Sequence, residues 1–234
     1  MPAGITVYND ANTVQIGDDY NNLCFISKVS GQSTFDASST ESWGTRPHAD
    51  VSFTVTGSNP PMVAVDTSQM HFLQLRSVVG NTYNYRICFG ANVGAGPYAY
   101  TCYFFDKPPN SSPSTYGLQV FGADGSLRYD SLFRYARVVD FLRIAYNSGS
   151  ELSYPVPAGR TYLMVHAQPG MVTANVPIPG GPNTFYNIVQ IRGSYRQASD
   201  LKTAIYTVQT GPSSFLNPIV NYDARFLVLD VTGF

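Results

Sequence analysis

The side chains able to do chemistry are few and scattered. Three histidines stand at His48, His71 and His166, with no HxxxH or HExxH spacing and no cysteine beside them to complete a zinc set. His71 and His166 lie inside apolar runs and read as core histidines. Cys24, Cys88 and Cys102 form an odd, widely spaced set, each in an apolar stretch. They read as three reduced core thiols, with a Cys88–Cys102 bridge between neighbouring strands as the alternative. Carboxylates for glycoside hydrolysis are on offer at Asp36, Glu41, Asp50, Asp66 and Glu151, yet no spacing brings two of them together. Asp18-Asp19 lacks the DxDxDG frame of a calcium loop and reads as a solvated turn. There is no GxSxG elbow, P-loop or dinucleotide glycine set. Residues 90–96 (GANVGAG) have neither the Lys nor the helix of a phosphate site and read as a strand connection. The residues point away from an enzyme and name no cofactor or metal.

Recognition is the chemistry that remains. Trp43 lies in a polar stretch where no periodicity demands its burial. Tyr98 and Tyr100 follow the glycine-rich connection, and Tyr195 sits in GSYRQ, read as a loop, beside Arg196. Aromatic faces of this kind anchor protein interfaces and stack on sugar rings. These five residues are the candidate interaction set, with Trp43 the first choice.

The elements that must position them are strands. The chain has 234 residues, 44% hydrophobic and 14% aromatic, with only 12% charged, about half the usual share of roughly 25%. Glu41 and Glu151 are the only glutamates and lysine occurs three times, so the residues that build surface helices are nearly missing. Tyr (17) and Phe (14) favour strands. The formal net charge of -1 argues against nucleic acid as a partner. No run of 18 apolar residues suits a membrane span, and the first ten residues lack the basic and apolar regions of a secretory signal, so synthesis in a cytoplasm is expected.

Short alternating segments are expected near 5–7, 14–16, 52–56, 62–66, 71–79, 83–89 and 98–105. In the second half they fall near 118–121, 127–129, 138–145, 161–167, 171–176, 185–191, 203–209 and 226–231. Residues 30–50 read as a long polar loop. The last run, RFLVLDVTGF, is apolar on both alternating faces, as in a strand covered on both sides by its own core and by a neighbouring chain. Residues 107–115 (KPPNSSPST) read as a Pro-Ser linker.

An internal match organises these segments. Residues 4–26 (GITVYNDANTVQIGDDYNNLCFI) and 117–139 (GLQVFGADGSLRYDSLFRYARVV) align without a gap at an offset of 113. Val7 meets Val120, Tyr8 meets Phe121, Val14 meets Leu127, Ile16 meets Tyr129, and Phe25-Ile26 meet Val138-Val139. Each copy reads as strand, polar turn, strand. In the second the turn is Ala123-Asp124-Gly125, and Asp-Gly admits the positive φ of a hairpin. The expected fold is therefore all-β: two tandem antiparallel β-sandwich domains, 1–107 and 116–234, joined by a linker at 108–115.

The openings G-[IL]-x-V-[YF]-x-x-x-[GN]-x-[VL]-x-[YI], followed closely by an Asp, resemble the start of small tail-tip and tail-fibre-associated structural proteins of long-tailed bacteriophages. The likeness covers about 15 residues in each copy and is closer at 117–130. It implies a structural or adaptor component of the distal tail, located in the virion and contributing to host attachment. Its implied partners are other tail proteins, a trimeric or hexameric hub or fibre among them. The alternative reading is a carbohydrate-binding, lectin-like sandwich, with a host surface glycan as ligand.

Overall fold

The computed structural model describes residues 7–8, 14–16, 22–35, 47–55, 59–90, 96–109, 116–149, 151–168, 170–179, 185–198, 200–213 and 220–234. These form nineteen strands in antiparallel ladders, and no helix occurs among the described residues. The chain is all-β, as its composition demands.

In the first half, β1 (Val7–Tyr8) and β2 (Val14–Ile16) form a hairpin of their own. β3 (Cys24–Gln32), β9 (Ala99–Asp106) and β6 (Met62–Asp66) make a three-stranded sheet in the order β3-β9-β6. β7 (His71–Val79), β8 (Thr82–Phe89), β5 (Pro47–Thr54) and β4 (Thr34–Phe35) lie side by side in that order. Ala49, Val51, Tyr85, Ile87 and Phe89 from this set meet Val63, Val65, Cys102 and Phe104 from the three-stranded sheet in one core. The strand period of two explains the choice, since alternate residues of each strand point inward. The expected long loop over 30–50 is shorter than its composition suggested: β3 runs to Gln32 and β5 starts at Pro47. Trp43 and linker residues 110–115 lie outside the described residues.

The second half repeats this order. β10 (Gln119–Phe121) and β11 (Leu127–Asp130) form a separate hairpin. β12 (Arg137–Ile144), β19 (Ala224–Asp230) and β14 (Tyr162–Gln168) form a three-stranded sheet in the order β12-β19-β14. As in the first half, the strand after the hairpin and a middle strand flank the last strand. β16 (Phe185–Gln197), β17 (Asp200–Ser213) and β13 (Glu151–Pro155) match β7-β8-β5. β15 (Gly170–Pro177) and β18 (Asn221–Tyr222) are additions to this wing.

The offset of 113 survives in the hydrogen-bond register. Val7 pairs with Ile16 and Tyr8 with Val14, with a register shift between Val7 and Tyr8. Val120 pairs with Tyr129 and Phe121 with Leu127, with the shift between Val120 and Phe121. Gly125 carries φ +76°, as the Asp-Gly pair foretold. The equivalence continues into the next strand. β3 skips Ile26 in its pairing with β9, and β12 skips Val139 in its pairing with β19. A bulge of one residue reverses which face the rest of a strand presents. It lets Phe25 and Lys28 address the same face of the sheet.

The halves are joined at two levels. His71 of β7 pairs with Ser194 of β16, making one nine-stranded sheet from both wings, and Phe72, Cys88, Val189 and Ile191 fill that junction. The two three-stranded sheets pack back to back. Ala64, Tyr103 and Phe105 meet Leu163, Val165, Leu229 and Val231, with Phe25 and Phe234 at the margin. The second cover expected over the C-terminal run is thus supplied by this chain's own first half. Its other face, Phe226 and Val228, joins Tyr162, Met164 and Leu201.

No disulfide joins Cys24, Cys88 and Cys102, and all three are buried. Burial pushes the thiols of Cys24 and Cys102 up to about 12. All three should resist a thiol reagent in the native protein, and three equivalents should react in denaturant. Leu229 is fully buried in the back-to-back core. Leu229→Ala should cost about 2–5 kcal/mol in urea unfolding, whereas Val79→Ala, on an exposed strand end, should stay within about 0.5 kcal/mol.

Candidate functional site

The back-to-back packing covers only part of the β3-β9-β6 sheet. Tyr103 and Ala64 are covered. Two residues along each strand the same face carries Thr101 and Asp66, and Ser30 pairs in register with Thr101. The period of two puts all three on that face, where a groove of about 540 Å³ opens. Ser30, Gln32, Asp66, Ser68, Tyr100 and Thr101 are among its lining residues. The hydroxyls of Ser30 and Thr101 are 2.8 Å apart.

The second half supplies the groove's electrostatic brace. The Arg196 guanidinium donates through Nε to Asp66 Oδ1 at 2.9 Å and through Nη2 to Oδ2 at 3.0 Å. The Arg196 backbone N–H donates to the Thr67 carbonyl at 3.0 Å. The hydrogen bonds it donates to Asp66 hold the Arg196 guanidinium above its ordinary range. Both charges are partly exposed, so the pair fixes geometry more than it stabilises the fold. Two parallel hydrogen bonds lock the carboxylate plane and leave each oxygen able to accept another.

Of the described candidate residues, Arg196 reaches the polar row; Tyr100 borders the groove, but its ring turns to the opposite face of β9 and packs on Phe89, with centroids 6.4 Å apart. Tyr98 does not line the groove: its ring packs on Phe89, with centroids 5.7 Å apart. Tyr195 points elsewhere, donating its hydroxyl to Glu151 Oε2 at 2.8 Å. Neighbours on a strand face opposite ways, and GSYRQ is strand, not the expected loop. Ser30, Gln32, Asp66 and Thr101 escaped the sequence analysis as binding groups. Asp66 and Arg196 are 130 positions apart, and only the registers of four strands make them neighbours.

A second polar cluster sits where the wings join. The rings of His71 and His166 are 5.4 Å apart, and His166 Nε2 lies 2.8 Å from Ser194 Oγ. His166 Nδ1 and both ring nitrogens of His71 are buried without a hydrogen-bond partner. Burial lowers His71 to about 4, softened by backbone groups of Gln69 and Ser194 and by Asp66. Burial, and then the neighbouring His71, lower His166 to about 3. Beside them an apolar cleft of about 350 Å³ separates Met62, Leu73 and Tyr85 from Val165, His166 and Leu227. Among the described residues no three His, Cys, Asp or Glu side chains gather as a metal set.

No family model matches the chain, and neither does any curated protein or solved structure.

The paired histidines generate a pH prediction. Their folded values lie below the unfolded value near 6.5, so the unfolded chain binds protons first as the pH falls. Their contribution is intact above about pH 6.5 and is lost toward pH 4, at up to about 1.4 kcal/mol per pH unit for each ring. Urea unfolding from pH 7 to pH 4 should show this slope, and His71→Gln should reduce it.

Proposed function

We propose that the chain is a structural adaptor of a bacteriophage virion at the distal tail, non-enzymatic, built from two tandem antiparallel β-sandwich modules. The modules are 1–107 and 116–234, joined by 108–115. Three matches support the tandem reading: the common sheet order of the halves, the identical hairpin registers at an offset of 113, and the equivalent bulges at Ile26 and Val139. In this reading each module is completed by its neighbour, because their three-stranded sheets face each other.

One observation carries the assembly role. The second hairpin, whose sequence carries the tail-protein resemblance, stands apart from the main sheets and exposes Tyr116, Leu118 and Phe121, at 73%, 46% and 51%. Its other side is anchored, with Val120 and Leu127 buried. Apolar residues exposed on and beside an anchored hairpin suit a surface that a neighbour covers. The partner in this reading is a trimeric or hexameric hub or fibre of the tail.

The test is incorporation. Antibody against the chain should label purified particles at the distal tail. Phe121→Asp should lower the copies per particle at least tenfold while its melting temperature stays near that of the parent. Equal incorporation of a folded Phe121→Asp chain would remove the hairpin from the interface. Particles that never carry the chain would end the virion reading.

A further inference from the structure

The groove on the outer face of β3-β9-β6 has a chemistry that the adaptor role does not use. Its floor is a row of three side chains on three adjacent strands: Ser30, Thr101 and Asp66. Strands lie about 4.8 Å apart, so the row spans roughly 10 Å, the reach of a sugar ring with its hydroxyls. Ser30 and Thr101 spend one hydrogen bond on each other. Each hydroxyl can make further bonds as donor or acceptor. Gln32 and Ser68 are exposed beside them, and the Gln32 amide offers both donors and an acceptor. The groove thus presents donors and acceptors close together, as neighbouring ring hydroxyls require.

Charge narrows the ligand class. Asp66 is the groove's carboxylate, and Arg196 neutralises it through two hydrogen bonds. The pair carries no net charge, so it offers neither an anionic nor a cationic ligand a free counter-charge. Lys28 lies further along the same face of β3, but its Nζ is engaged with the Phe234 carbonyl at 3.0 Å. A neutral ligand that hydrogen-bonds to both kinds of group fits best. An extended peptide fits less well, since strand addition reads side chains through pockets and this floor is a polar row.

We propose that this groove is a binding site for a neutral saccharide. Asp66 acts as a fixed acceptor, Ser30 and Thr101 exchange hydrogen bonds with ring hydroxyls, and Gln32 and Ser68 lie beside them. Arg196 is a positioning residue that holds the Asp66 carboxylate plane. This proposal goes beyond the adaptor reading and does not need it, because the site belongs to the isolated chain.

The test uses the purified full chain on an array of neutral oligosaccharides of glucose, galactose, mannose and N-acetylglucosamine, beside sialylated and sulfated ones. Saturation-transfer NMR and titration follow on the best neutral binder. Binding to at least one neutral class is expected. Thr101→Val and Ser30→Ala should each weaken it about tenfold, the loss of roughly one hydrogen bond. Ser52→Ala, on the far wing, should leave it unchanged. Ser30 is exposed on an edge strand, so its variant keeps the test decisive if Thr101→Val lowers the melting temperature. Silence on the whole array overturns the proposal. So does a preference for the charged glycans, or neutral binding that neither variant weakens. Particle labelling is a separate readout, so a silent array leaves the virion reading standing, and unlabelled particles leave the groove standing.

Discussion

The packing of Tyr103 and Phe105 against Leu229 and Val231 is the contact on which the rest depends. β9 and β19 are the centres of their sheets, and this contact covers the face of each that its own half's core leaves open. Strands in that position need apolar residues at every step, not at every second one. CYFF at 102–105 and FLVL at 226–229 have this pattern. Each then ends at a buried aspartate, Asp106 or Asp230. Burial alone would raise the Asp230 carboxyl, but bonds from Thr232 and the guanidinium of Arg160, with the charge of Arg137, outweigh it and hold it below the usual range. A charge at that point stays ionised because the chain supplies its partners.

The same contact defines the groove. The back-to-back sheets overlap through Ala64 and Tyr103 and part at Asp66 and Thr101, so the polar row begins where the apolar cover stops. Arg196 reaches Asp66 because β16 runs past the junction at Ser194 and His71. Gly193 permits that approach. A Cβ there would lie 2.4 Å from the His71 carbonyl oxygen, so any other residue would push β7 and β16 apart. The histidine seam, the groove and the shared core are consequences of one way of joining two similar halves.

Local chemistry was legible in the sequence, and long-range register was not. The second hairpin could be read because Asp124-Gly125 specifies its turn within a few residues, and the matching segment gave the first. The all-β class followed from the near absence of Glu and Lys. GSYRQ read as a loop because glycine followed by polar residues usually marks a turn, whereas Gly193 marks a close approach between strands. The ends of β16 and β17 escape a reading by alternation for a related reason: GSYRQASDLK at 193–202 carries polar residues at both alternating positions. The two bulges were invisible, since one extra residue leaves an apolar run looking apolar. The groove depends on those registers, so of its polar groups the candidate interaction set holds Arg196 alone.

The central claim is that the two halves are one folding unit through their shared core. Scanning calorimetry of the full chain at neutral pH tests it directly. A single transition whose calorimetric and van't Hoff enthalpies agree is the result this packing predicts. Two resolved transitions, each with the enthalpy of about half the chain, would contradict it.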